Sequence, residues 1–104
     1  MRKATLRRTT GETDISISLT IDGTGRFEGT SGIGFLDHML HLLARHSGMD
    51  ISLTCQGDLD VDNHHTIEDI RITLGEVFEK ALGDKKGIHR YGCFFCPMDE
   101  ALSR

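Results

Sequence analysis

The fold of this chain is decided by Ile15-Ser16-Ile17-Ser18-Leu19-Thr20-Ile21, in which apolar and polar side chains alternate without a break. Successive side chains of a β-strand point to opposite faces of a sheet, so this alternation predicts a strand with one buried face. A shorter alternation in Ala4-Thr5-Leu6-Arg7 predicts another strand before it. The two predicted strands are joined by a turn around Thr10-Gly11.

The polar and glycine-rich segments that follow predict the remaining turns and strands. Asp22-Gly23-Thr24-Gly25 has the composition of a hairpin turn. It is predicted to lead into a short third strand over residues 26–29, and residues 50–56 predict a further strand. Between these strands, Ser31-Gly32-Ile33-Gly34 is predicted to lead into the first helix.

Residues 35–46 have the periodicity of an amphipathic helix, which Gly48 closes. His38 lies near the helix start and is the better candidate for a metal ligand. His41 is interpreted as a solvated residue of the polar face, and His46 as a hydrogen-bonded, partly buried residue beside the apolar stripe. The predicted stripe consists of Leu36, Met39, Leu40 and Leu43.

A second helix is predicted to run to about Leu82, with Gly83 ending it. Gly75 lies beside its apolar face and has two interpretations. Either it lets another chain, helix or ligand come close, or it is a tolerated soft point in the helix. The predicted core face consists of Ile67, Ile70, Leu74, Val77 and Ala81.

The start of this second helix carries the motif Asp62-Asn63-His64-His65-Thr66-Ile67-Glu68-Asp69. His64 and Glu68 are four positions apart and share one helix face, whereas His65 points about 100° away. Because the two histidines cannot easily serve one ion, the motif suits two metal ions or one ion shared between chains. Histidine and carboxylate together accept Zn²⁺, Mn²⁺ or Fe²⁺, so the motif does not select the metal.

This motif has two other interpretations. The spacing differs from the His-Glu-x-x-His pattern of zinc proteases, which argues against a metalloprotease. A purely structural role is also open, in which Asp62 or Asn63 caps the helix and Glu68 and Asp69 lie near the positive end of its dipole. The clustering of three potential ligands favours metal binding.

Composition bounds the function further. The 104 residues fit one small domain, and 12 basic against 16 acidic residues give a formal net charge of −4. The basic residues are scattered, which disfavours nucleic acid as a partner. No stretch approaches the ~20 apolar residues that cross a bilayer, so we expect a soluble, cytoplasmic protein with no membrane partner.

The cysteines do not form an evident disulfide framework. Cys55, Cys93 and Cys96 are odd in number and fit a reducing compartment. Cys93 and Cys96 have the spacing of a redox or zinc half-site, but the segment is predicted to be a strand, in which positions three apart face opposite sides. A zinc knuckle is therefore disfavoured.

The C-terminal segment resembles the N-terminal one. Residues 90–101 repeat the order of residues 2–13, namely a basic residue, a strand, a turn and an acid, with few identities. Arg90-Tyr91-Gly92-Cys93 is thus predicted to return to the pattern of the opening strand. The chain is interpreted as a first half-domain, residues 1–86, followed at 87–104 by the start of a second repeat that is cut off.

Three motifs, Gly34-Phe35-Leu36-Asp37-His38-Met39-Leu40, residues 62–69 and Pro97-Met98-Asp99-Glu100-Ala101-Leu102, together resemble the imidazoleglycerol-phosphate dehydratase family. The resemblance covers the whole chain and about the first half of the family's protein. It implies an α+β fold, a mostly antiparallel sheet with two helices packed on one face. This half-domain is duplicated in the intact family and is of the type of the second domain of ribosomal protein S5.

The resemblance also implies an activity and a cofactor. The family is a hydro-lyase of histidine biosynthesis that converts imidazole glycerol phosphate to imidazole acetol phosphate. It uses two Mn²⁺ ions in each site, bound between neighbouring subunits of a homo-oligomer. By this resemblance His38, His64 and Glu68 would help to bind one ion and His65 the other. The remaining ligands would belong to the absent half.

Catalytic and substrate-binding roles follow from the same resemblance. Glu12 matches the acid–base glutamate, which also contacts substrate, and Arg90 matches an arginine that meets the substrate phosphate. His65 and Glu68 join Glu12 as expected catalytic residues. Residues 98–100 match a segment assigned to support of the site.

Two alternatives to the dehydratase remain open from the sequence. One is a non-catalytic half-domain that binds metal and folds or assembles without turnover, because it lacks part of the ligand set. The other is a structural zinc module with a closed site and no activity.

Overall fold

A computed structural model describes residues 2–11, 13–57 and 64–104 of the chain. The described residues form six strands and two helices, which confirms the predicted α+β class. In chain order these are β1 (Lys3–Thr9), β2 (Thr13–Thr20), β3 (Phe27–Thr30), α1 (Gly34–Ser47), β4 (Asp50–Gly57), α2 (His64–Leu82), β5 (Cys96–Met98) and β6 (Ala101–Ser103).

The main sheet has the strand order β1-β2-β4-β3. β1 pairs with β2 and β2 with β4 in antiparallel fashion, whereas β3 runs parallel to β4. The sheet is therefore mostly antiparallel, as predicted. In the register of the central strands, Ile17 stands opposite both Leu6 and Leu53.

The alternation in β2 sets the position of the core. Ile15, Ile17 and Leu19 are buried, while Ser16 and Ser18 lie on the other, more exposed face. Each such aliphatic side chain stabilises the fold by about 1.5–3 kcal/mol when it is buried. Both helices pack on this apolar face, because one core cluster contains the buried residues of β2, β4, α1 and α2: Ile15, Ile17, Leu19, Leu40, Ala44, Ile51, Leu53, Ile70, Val77 and Ala81.

The prediction that residues 22–25 form a hairpin turn is wrong. β2 and β3 are not neighbours in the sheet, because β4 lies between them. The Asp50 carboxylate accepts hydrogen bonds from the backbone N–H groups of Thr24 and Arg26, at 2.9 and 3.0 Å. These bonds draw the connection across the start of β4, so the chain continues past it and pairs on its far side.

The structure confirms the predicted span of the first helix and the glycine that ends it. Gly48 has φ +78°, and its N–H donates to the carbonyl of Ala44. The predicted apolar stripe is only partly buried, since Leu40 is buried while Met39 and Leu43 are 46% and 42% exposed. His46 is exposed, so its predicted burial is wrong.

The buried face of α2 differs from the predicted one by a small rotation. Ile70, Val77 and Ala81 are buried as predicted, but Ile67 is 41% exposed. The small side chains of Thr66 and Thr73 take the remaining buried positions against the sheet, and are themselves fully buried. The displaced apolar side chains border a groove between the two helices, so they are not left on a polar surface.

The two buried threonines of α2 differ in their hydrogen bonding, which gives a test. Thr73 Oγ1 donates to the Asp69 carbonyl at 2.7 Å, whereas Thr66 Oγ1 has no partner within the described part of the chain. A buried hydroxyl without a partner costs free energy. We expect Thr66→Val to raise the free energy of unfolding by about 1 kcal/mol and Thr73→Val to lower it by a similar amount, measured by urea unfolding. Equal effects of both changes would contradict this.

The C-terminal segment lies outside the main sheet. Residues 90–93 form no strand, so that prediction is wrong; the strand begins only at Cys96 and forms a separate two-stranded sheet with β6. All residues from 89 to 104 are exposed. In the described part of the chain β5 and β6 pair with each other, whereas β1 pairs with β2 in the main sheet. Its assignment to a second repeat, residues 87–104, stays a prediction.

An ion pair holds the start of β1 to the end of β2. The side-chain and backbone N–H groups of Arg2 donate to Asp22 and lower the pKa of its carboxyl to about 2. The stability that this pair contributes is present above the unfolded carboxyl pKa, about 3.9, and is lost as the pH falls through 2. We expect Arg2→Ala to return the Asp22 pKa towards its ordinary value in an NMR titration. Arg7→Ala, which removes the partner of Asp14, serves as the control and leaves the Asp22 pKa unchanged.

Candidate metal and active site

The start of α2 brings His64 and Glu68 together. His64 Nε2 lies 3.2 Å from Glu68 Oε2, and Arg71 approaches the other carboxylate oxygen at 3.7 Å. Both residues of the pair remain accessible to solvent. The helical spacing therefore places an imidazole nitrogen and a carboxylate oxygen one turn apart on one face, as the sequence predicts.

His65 leaves the helix in a different direction from His64. Their ring centroids are 6.0 Å apart, and the ring planes meet at 67°. His65 is also exposed. Two nitrogen donors diverge from adjacent positions, so the arrangement suits two separate ions better than one.

His38 lies on α1, in a surface hollow beside β3. The hollow is lined by Phe27, Gly29, Asp37, His38 and His41. The His41 ring meets the Phe27 ring edge to face, with centroids 6.3 Å apart. His41 is exposed, and its ring is nonetheless packed on one side.

Asp37 fixes the helix turn that carries His38. Its carboxylate accepts hydrogen bonds from Thr30 Oγ1 at 2.6 Å, and from the N–H and Oγ of Ser31, each at 2.7 Å. Partial burial by itself raises the pKa of Asp37, but these hydrogen bonds outweigh it and the pKa is lowered. The charged carboxylate thus ties the start of α1 to the end of β3.

The described residues of one chain do not bring three metal donors together. Among residues 2–11, 13–57 and 64–104, no three histidine, cysteine or acidic side chains come close enough together to hold a metal ion. His64, His65 and Glu68 lie within the first five residues of α2, whereas His38 lies on α1. The nitrogen and oxygen donors present fit a divalent cation in type, and the remaining donors must come from outside this set.

The other predicted site residues lie either outside the described residues or exposed on the C-terminal segment. Glu12 lies outside the described residues, as do residues 58–63 with the predicted helix caps Asp62 and Asn63. Arg90 is exposed on the C-terminal segment, together with residues 98–100. The structure does not bring Arg90 into a pocket with the histidines among the residues it describes.

The three cysteines take no part in this arrangement. All are free thiols, and Cys93 and Cys96 are exposed. Cys55 is half-buried on β4, where burial and then the nearby carboxylates, Asp37 first among them, raise the pKa of its thiol. A raised pKa keeps the thiol protonated and unreactive at neutral pH.

An apolar groove lies between the two helices. It has a volume of about 600 Å³ and is lined by Leu36, Leu40, Leu43, Ile67, Leu74 and Phe78, with Gly75 at its side. A side chain at Gly75 would meet no atom within 4 Å. This open space fits both interpretations of Gly75, which stay predictions.

Sequence reasoning missed a buried polar contact behind the metal motif. Thr13 Oγ1 donates to Asp69 Oδ2 at 2.6 Å, and Arg8 Nε lies 3.5 Å from the other oxygen. One signal could have found it. Thr13 falls in the same phase of the strand alternation as Ile15, so its side chain had to face the helices.

The geometry defines a class of protein: an α+β domain that presents two divergent histidines and a glutamate at the start of one helix. The model of the family described as imidazoleglycerol-phosphate dehydratase matches residues 31–104. The chain belongs to this family, and the resemblance found in the sequence is confirmed.

Relatives with this name are similar to the chain over nearly all of its length. That of Carboxydothermus hydrogenoformans is 60% identical over 102 residues, which are 98% of this chain and 53% of the relative. That of Chlorobium phaeovibrioides is 62% identical over 103 residues, covering 99% and 52%. The chain therefore spans about half the length of the curated relatives it matches.

A solved structure agrees with the fold. The crystal structure of imidazoleglycerol-phosphate dehydratase from Staphylococcus aureus superposes with a TM-score of 0.80 and is 37% identical in sequence. The match covers 96% of this chain and 53% of that chain. No helix in the described part of the present chain is both long and apolar enough to span a bilayer.

Proposed function

We propose that this chain supplies half of the active site of a hydro-lyase that converts imidazole glycerol phosphate to imidazole acetol phosphate in histidine biosynthesis. The observation that carries the proposal is the exposed turn of α2, where His64 and Glu68 lie 3.2 Å apart and His65 points away. Family membership supports it, because the relatives are named for this dehydration.

The reaction needs an electron sink that the substrate chain lacks. The proton to be removed sits on a carbon without an adjacent carbonyl, so only the imidazole ring of the substrate can accept the electron pair. When bound, Mn²⁺ supplies the Lewis acidity that stabilises negative charge on that ring. His64 and Glu68, with His38, would hold one ion, and His65 the other.

The remaining steps fall to protein side chains. The Glu12 carboxylate takes the proton from carbon and passes it to the hydroxyl group, which leaves as water. The Arg90 guanidinium pairs with the substrate phosphate, for which its fork of donors is suited. These two assignments come from the family match of Glu12 and Arg90, and they define the catalytic and substrate-binding roles that we propose.

We also propose that the metal sites lie between subunits of a homo-oligomer. One chain offers the pair His64 and Glu68 but assembles no group of three donors among its described residues. Two or more chains, each presenting such turns, can complete a coordination shell by symmetry. A cytoplasmic location is proposed with it, since three free thiols suit a reducing compartment.

Metal binding gives the first test. At Mn²⁺ near 100 times its Kd, binding to the folded state adds about 2.7 kcal/mol, which raises the Tm of a chain of this size by about 10 °C. We expect this rise for the parent, with a larger assembly in size-exclusion chromatography, and a much smaller rise for His65→Ala. His46→Ala removes an exposed histidine from α1 and serves as the matched control with the parental shift. If Mn²⁺ does not change the Tm of the parent, the metal assignment is wrong.

A second candidate is a half-domain that binds metal and assembles without turnover; it is favoured because no three donors come together among the described residues. The two candidates are separated by an assay of product formation. This chain is compared with a longer chain that carries another His-His-x-x-Glu block. Under the dehydratase proposal, the longer chain is active and this chain much slower. If the longer chain also forms no product in Mn²⁺, the non-catalytic candidate is correct.

A further inference from the structure

We propose that Asp69 is a positioning residue that fixes the connection between β1 and β2 against the start of α2. This connection, residues 10–12, contains Glu12, and Asp69 directly follows Glu68 in the helix. The inference rests on the proposed function, because that function makes Glu12 the acid–base residue and assigns the metal ligands to the helix start to which the strands flanking Glu12 are tied.

Asp69 contacts both strands that the connection joins. Its Oδ2 accepts a hydrogen bond of 2.6 Å from Thr13 Oγ1, at the start of β2. Its Oδ1 faces Arg8 Nε at 3.5 Å, near the end of β1. The Asp69 side chain is 13% exposed and Thr13 is 4% exposed, so water competes little for the hydrogen bond between them.

The hydrogen bonds within the connection run in one direction towards Asp69. An ionised carboxylate only accepts, so the Thr13 hydroxyl must donate to it. The Thr13 hydroxyl lies 3.0 Å from Thr10 Oγ1 and must therefore accept from it. Thr10 Oγ1 in turn accepts from the Thr13 N–H at 3.0 Å, and the Thr10 N–H donates to the Thr13 carbonyl at 2.8 Å. The contact with Asp69 therefore fixes the orientation of both threonine hydroxyls in this network.

The alternative explanation, an acid at the positive end of a helix dipole, fits Asp69 poorly. α2 begins at His64, so Asp69 lies beyond the first turn, where the dipole effect has fallen off. Its carboxylate is turned instead to residues 56 positions away in the chain. A residue used only for helix stability does not require this long-range contact.

Amide hydrogen exchange at Thr10 and Thr13 tests the contact directly on this chain. We expect exchange about tenfold faster in Thr13→Val, which loses the hydroxyl, and near the parental rate in Thr13→Ser, which keeps it. Thr73→Val is the matched control, because its hydroxyl bonds only within α2. Asp69→Ala provides a second variant with the same expected acceleration. Parental exchange in both Thr13→Val and Asp69→Ala would overturn the proposal.

A double-mutant cycle on kcat, in the chain that shows turnover, tests the link to Glu12. Thr13→Val should lower kcat by about tenfold to a hundredfold, because misplacement of a reacting group by about 1 Å is that costly. In a Glu12→Gln background it should lower kcat no further. Equal losses in both backgrounds would overturn the positioning role. If the proposed function itself is wrong, Glu12→Gln alone will turn over at the parental rate. This result is distinguishable from failure of the positioning role, because it does not depend on the exchange data.

Discussion

Replacement of Glu12 by glutamine is expected to lower kcat for dehydration by a factor of roughly 10² to 10⁴. The amide has nearly the shape of the carboxylate but cannot accept the proton that leaves carbon. The measurement is steady-state formation of the acetol phosphate with saturating Mn²⁺, in the chain that shows turnover. Because the substitution keeps size and removes only the titrating group, the loss reports on proton transfer.

A matched control separates this loss from the general effect of removing a negative charge. Glu76 is an exposed glutamate on α2 with the same side chain, and Glu76→Gln should leave kcat within about twofold of the parent. The prediction concerns chemistry alone, so Glu12→Gln should retain the parental Mn²⁺-dependent rise in Tm. A Glu12→Gln protein with parental kcat would remove Glu12 from the mechanism.

Gly29→Ala is expected to lower the free energy of unfolding by at least about 3 kcal/mol. Gly29 lies in β3 with φ +110°, a conformation that residues with a side chain rarely adopt. An added Cβ would overlap the backbone carbonyl of Leu53 in β4, and a strand backbone cannot move aside without breaking the sheet. Urea unfolding should show a much lower midpoint, with a disturbed His38 hollow, since Gly29 lines it.

Gly75→Ala is the control for this substitution. Gly75 lies within α2, and an added Cβ there would meet nothing within 4 Å. Alanine is a better helix former than glycine, so this variant should have a free energy of unfolding about 1 kcal/mol higher than the parent. A Gly29→Ala protein that unfolds at the parental urea concentration would show that β3 does not pack on β4 as described.

The strands and helices could be predicted because their patterns are local. The alternation from Ile15 to Leu19 is visible within a few residues, and so is the glycine that ends α1. The neighbour of β3 could not be predicted in this way. Asp22-Gly23-Thr24-Gly25 has the composition of a hairpin turn, but the choice of partner depends on Asp50, which binds the connection from a distant part of the chain.

The same distinction applies to the candidate site. That His64 and Glu68 meet follows from the geometry of one helix turn, and the structure places them within 3.2 Å. The contact between Asp69 and Thr13 forms only when α2 packs on the sheet, so local sequence patterns do not predict it. The rotation of α2 that buries Thr66 and exposes Ile67 likewise depends on how the small threonine fits the sheet, which helical periodicity does not specify.

Two divergent groups of donors at the start of α2 carry the proposed function. Anomalous diffraction at the manganese absorption edge, from crystals grown with saturating Mn²⁺, measures this directly. We predict one manganese peak beside His64 and Glu68 and a separate peak beside His65. Crystals in which these side chains face solvent with no manganese peak beside them would contradict the account.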